Sequence, residues 1–169
     1  WANPRTAAAI EQRLGGLSKR LGGGLKEHAD ERLDQWFETL PFPLASILRA
    51  WQATPSQDFK TKHEHLLHFF EATAQFVSII FLSAFSSNEA LFGPHKQKLS
   101  EAMKPKLSFQ QATFGAWKVV VEYFGARTRE LLSVNGKKPD EAQADRALCA
   151  DIFADPSLRL PEALSRKEL

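Results

Sequence analysis

Apolar positions recur at helical spacing along nearly the whole chain, and the gaps between them fall at proline and glycine. Leu14, Leu17, Leu21 and Leu25, then Leu33, Trp36, Phe37 and Leu40, keep one helical period. Gly15, Gly16, Gly22, Gly23 and Gly24 interrupt that run, each costing about 1 kcal/mol against alanine in a helix interior. The pattern therefore predicts a break at 22–24. Pro41 and Pro43 end the segment, because a residue preceding proline is pushed out of helical conformation. Pro43 then opens a short helix carrying Leu44, Ile47, Leu48 and Trp51.

The longest helix is predicted from about Asp58 to Ser86. Leu66, Leu67, Phe69, Phe70, Thr73, Ala74, Val77, Ile80 and Phe81 share one broad face, opposite a strip of Glu64, His68, Glu71 and Gln75. Its C-terminal half loses the polar strip, with Ile79 joining the apolar side, so that half should lie deepest in the core. A short helical piece near Asn88–Phe92, a break at Gly93-Pro94 and a basic helix His95–Met103 follow. Ser108 and Gln111 have capping-box spacing, ahead of a helix running to Leu132 through Phe109, Trp117, Val120, Val121 and Phe124. Asn135-Gly136 follows a helix and precedes Pro139, so it reads as a C-cap and then a new N-terminus, with a helix over Pro139–Phe153.

This pattern predicts an all-α single bundle of six or seven helices, with Asp58–Ser86 and Ser108–Leu132 as the central pair. Composition agrees: 22 alanines and 21 leucines stand against five valines and five isoleucines, too few β-branched residues for a sheet. Burial of both Phe70 and Trp117 is expected. The chain begins at Trp1 without methionine, and Pro161 looks like the start of a helix that runs on. The reading is thus one helical domain, 1–169, cut from a longer protein.

Charge and chemistry narrow the picture further. A net charge of +2 is too balanced to require nucleic acid or an anionic membrane as partner. The one cysteine, Cys149, excludes a disulfide framework and sits in an apolar helical setting, where an inert thiol in a reducing cytoplasm is the plain reading. The most apolar run, 76–85, is shorter than a bilayer span and fits a core helix.

Glu64, His68 and Glu71 share a helix face and are the candidate ligands for a metal or substrate. A zincin motif fails, because Leu67 stands four residues after His63, and a solvated polar strip accounts for the same residues. Lys96, Lys98, Lys104 and Lys106 are the candidate nucleic-acid contacts, read otherwise as a solvated basic face. Trp36, Phe42 and Trp51 flank the proline bend, either as a partner groove or as a core plug fixing the angle between two helices. No nucleotide loop or nucleophile elbow occurs, and no cofactor is implied.

The segment Leu40-Pro41-Phe42-Pro43-Leu44, continuing to Arg49, and the segment from His65 to Val77 together resemble helical accessory domains of large bacterial defence and signalling proteins, some of them HEPN-like bundles. Ribonucleases of that family carry an arginine followed four to six residues on by histidine. No arginine here has a histidine at that spacing, so the resemblance implies a catalytically silent copy. The expected function is a non-catalytic interaction or sensing module, bound to a protein partner, to other domains of its parent chain or to a second copy. A metal-assisted hydrolase or ribonuclease-type enzyme using Glu64, His68 and Glu71, and a nucleic-acid-binding domain, are the alternatives.

Overall fold

A computed structural model describes residues 33–103 and 112–167. Among these residues every regular element is a helix, and the all-α expectation holds. The chain divides into two compact units, Trp1–Leu66 and Leu67–Leu169.

In the first unit, α1 (33–39) ends at the Leu40 bend, and α2 (Phe42–Ala53) follows with Pro41 as its cap and Pro43 in its first turn. Proline is tolerated there because the first helical amides have no intrahelical acceptor. Leu44, Ala45 and Leu48 are buried. Trp36 and Phe42 are not: they stand 51% and 84% exposed, so the core-plug reading of the proline bend fails for both. Across the bend Arg49 lies 4.9 Å from the Phe37 centroid, and further on Lys62 lies 4.5 Å from the centroid of the Trp51 ring.

The division between the units falls within α3 (Phe59–Ser86), whose first turn is capped by Asp58 Oδ1 accepting from the Thr61 amide at 3.1 Å. In the second unit α3 is followed by α4 (Glu89–Met103), α5 (Phe114–Leu132), α6 (Pro139–Ile152) and α7 (Arg159–Ser165). The core gathers on α5, which touches α4, α6 and α7 and buries Ala116, Val120 and Phe124 completely. Helices α3 and α5 run in the same direction: the Ser78 hydroxyl reaches the Trp117 carbonyl at 3.1 Å, and about two turns further along both helices Phe85 packs on Phe124 at 4.6 Å between centroids.

Several sequence expectations are corrected here. Helix α4 passes through Gly93-Pro94 without breaking, capped at its start by Asn88 Oδ1 on the Leu91 amide at 3.1 Å. Glycine eases this by removing the preceding Cβ that the proline ring would meet, although the Ala90 carbonyl still lacks its amide donor. Helix α5 starts at Phe114 with Thr113 extended at ψ 167, later than the Ser108 start expected; Ser108 and Gln111 lie outside the described residues. Helix α7 stops at Ser165, with Arg166 extended, rather than running on from Pro161.

Ile79 is 53% exposed and does not join the core; Ser78 is buried in its place, its small hydroxyl admitting α5. Phe70 is also half exposed while Trp117 is partly buried. At 1.5 Å per residue, Phe70 lies about 12 Å before Ser78, whereas α5 extends only about 4.5 Å before Trp117. Phe70 therefore projects past the start of the helix meant to cover it.

The α6–α7 connection carries unusual backbone. Ala154 and Leu158 both take left-handed backbone, φ 49 and 57. That conformation is costly for side chains with a Cβ. Asp155 holds it, its carboxylate accepting from the Ser157 amide at 3.1 Å, the Ser157 hydroxyl at 2.5 Å and the Leu160 amide at 2.7 Å.

Candidate functional site

The densest set of polar side chains in the second unit lines a cavity of about 240 Å³ between α4, α5 and α6. His95 of α4 places Nδ1 2.8 Å from the Tyr123 hydroxyl of α5, and its ring stands edge-on to Phe85 at 5.9 Å. Burial and then the nearby Arg127 charge push the His95 imidazolium down from its ordinary range, so the ring is neutral at neutral pH. Burial also raises the Tyr123 phenol, keeping its proton. One hydrogen bond between two neutral groups results.

The charged members neutralise one another. Arg127 Nη1 meets Glu130 Oε2 at 2.5 Å, and Lys137 Nζ meets Asp145 Oδ2 at 2.6 Å while donating to the Glu130 carbonyl at 2.5 Å. Arg127 Nε is buried with no partner among the described residues. The cluster acts as a polar clasp that ties α4 to α5 and α5 to α6. Nothing in the one-dimensional pattern pairs His95 with Tyr123; the contact exists only because α4 crosses α5.

The candidates from the sequence fall elsewhere. Glu64 and His68 are exposed and Glu71 is half-buried on α3, and Glu64 lies 3.9 Å from Lys60. Among the described residues no group of three His, Cys, Asp or Glu is placed to hold a metal ion. Lys96 and Lys98 are exposed on α4, while Lys104 and Lys106 lie outside the described residues. Of the aromatic trio, Trp36 and Phe42 are open to solvent and Trp51 is half-buried under Lys62.

Comparison with family models, curated proteins and solved structures finds no match. Large apolar side chains also reach the molecular surface.

That surface is most unusual on α3. Leu67, Phe70, Phe76 and Ile79 are all more than a third exposed on a helix whose Val77, Phe81, Ala84 and Phe85 are buried in the core. Phe76 and Ile79, three residues apart, share one outward face. Although its unbroken apolar run is short, α3 as a whole is the one helix among the described residues long and apolar enough, by length and composition, to cross a membrane. A buried core helix passes the same test, but only 22% of the apolar window of α3 is buried, its Val77–Phe85 side facing the core.

Cys149 is fully buried, and desolvation pushes its thiol up to about 11. A thiol raised above its unfolded value stabilises the fold below that value and ceases to do so as pH climbs through the folded one. Stability should therefore fall between about pH 9 and 11, and Cys149→Ala should flatten that fall, read as urea midpoints. Native protein at about pH 8 should resist iodoacetamide until denaturant is added. Rapid native alkylation would show the site to be open.

Proposed function

We propose that this chain is a non-catalytic helical interaction module that docks through the outward apolar face of α3, first of all onto a second copy of itself. The observation behind this reading is the exposure of Phe76 and Ile79 on one outward face of α3, whereas the exposed Leu67 and Phe70 lie on the side that carries the buried Val77, Phe81 and Phe85. Exposing two large apolar side chains side by side is unfavourable, and docked helices recover that energy at roughly 25 cal/mol per Å² of apolar area removed from water. Internal neutralisation of the His95–Asp145 cluster supports a structural rather than catalytic use of the polar residues. The all-helical fold accords with a HEPN-like kinship, proposed here as a silent copy in a bacterial defence protein. A buried, unpaired Cys149 accords with a cytoplasmic setting.

Sedimentation velocity across the micromolar range tests the reading. Wild-type protein should gain mass with concentration, and the double variant Phe76→Glu/Ile79→Glu should remain monomeric with an unchanged melting temperature, since neither side chain belongs to the core. Wild-type protein that stays monomeric throughout, or a double variant that associates equally well, overturns it.

A further inference from the structure

A second cavity, of about 390 Å³, opens where the middle of α5 meets the end of α7. Its chemistry differs from that of the clasp around His95. Val121, Gly125 and Arg129 recur every four residues and so form one face of α5, while Leu164, Arg166 and Lys167 close the far side. Gly125 is the floor: a Cβ there would already touch the Leu164 carbonyl at 3.4 Å.

Charge distinguishes the site. The ion pairs of this unit engage Lys118, Arg127, Lys137 and Arg146. Arg129, Arg166 and Lys167 have no carboxylate partner among the described residues, and all three converge on this cavity. Glu122, its lone acid, is drawn aside by Lys118 at 2.6 Å. The Arg129 guanidinium is held in place by donating Nη1–H to the Ser165 carbonyl. A fixed guanidinium loses little entropy on binding, and its remaining donors suit the paired oxygens of an oxyanion. Cations of one sign between low-dielectric walls focus the field into the cavity.

We propose that this cavity binds a phosphoryl group carried on a small organic body. Arg129 takes two phosphoryl oxygens, Arg166 and Lys167 balance the dianion, and Val121 with Leu164 packs the carbon skeleton. A volume of about 390 Å³ exceeds what a bare phosphate fills and falls within the range of small-molecule sites. The site is separate from the α3 surface, so either stands if the other fails.

The test is an NMR titration of the labelled chain with phenyl phosphate and with inorganic pyrophosphate. A parallel arm measures cosedimentation with phosphatidylcholine vesicles doped with phosphatidic acid. The expected result is a saturable shift of the Gly125 amide and the Arg129 side-chain signal, weakening as salt rises. Arg166→Gln/Lys167→Gln, at two exposed positions after the helix, should weaken binding about tenfold without altering the fold. The control Lys96→Gln/Lys98→Gln should bind as wild type does. Soluble ligands binding identifies a free phosphorylated molecule. Vesicle binding lost in the Arg166/Lys167 variant, with soluble ligands silent, identifies a lipid phosphate in the same site. Silence in both arms, or binding untouched by the Arg166/Lys167 variant, overturns the proposal.

Discussion

Replacing Phe124 by alanine is expected to cost about 3–5 kcal/mol of folding stability, read from urea unfolding. Phe124 is fully buried, and its ring lies 4.6 Å from Phe85, 5.3 Å from Tyr123, 6.3 Å from Phe81 and 6.4 Å from both Phe92 and His95, centroid to centroid. It joins α3, α4 and α5 at one point. Truncation leaves a void walled by rings that cannot collapse into it, and each lost ring contact adds about 0.5–1.5 kcal/mol to the transfer term. Domains of this size hold about 5–15 kcal/mol in total, so the variant should be partly unfolded near body temperature. The half-exposed Phe70 should lose about 1 kcal/mol or less by the same change. Equal costs for the two would show that the ring cluster is not the centre of the core.

The second large effect runs the other way. Pro94→Ala should stabilise the protein by about 1–3 kcal/mol, because proline inside a helix withholds the amide that the Ala90 carbonyl would accept. Part of that gain is offset, since proline also restrains the unfolded chain. Gly93 faces open space, so a Cβ there meets nothing beyond its own neighbours. Its neighbour is nonetheless the pyrrolidine ring. Gly93→Ala alone should give no gain, while in the Pro94→Ala background it should add about 0.5–1 kcal/mol. A thermal-melt double-mutant cycle reads this coupling directly. Gly93→Ala stabilising both backgrounds alike would sink the steric account.

The Gly93-Pro94 pair also shows where reading from sequence alone stops. Either residue often marks a break, yet α4 carries both in its interior, glycine removing the Cβ that proline would strike. Periodicity located α2, α3 and α6 because long repeats of apolar residues outweigh local ambiguity. It misjudged Ile79 and Phe70 for a different reason. Hydrophobicity says that a side chain would gain from burial, whereas burial also needs a neighbouring helix at that height. The register of α3 against α5 is set by the Ser78–Trp117 contact, which no one-dimensional pattern contains. The His95–Tyr123 pair and the cations around Gly125 were hidden likewise, because their members are separated by dozens of residues and gathered only by packing.

Helix α7 has only seven residues, too few to persist in water alone. It is moored at one end by the Asp155 carboxylate and at the other by Arg129 on the Ser165 carbonyl. In hydrogen-exchange terms its amides sit on a lower rung than those of α5: two moorings can slip while the aromatic core stays shut. Because α7 also walls the cation-lined cavity, any occupant there must be released before the helix can lift. Occupancy would register as slower exchange along 159–165, far from the outward face of α3.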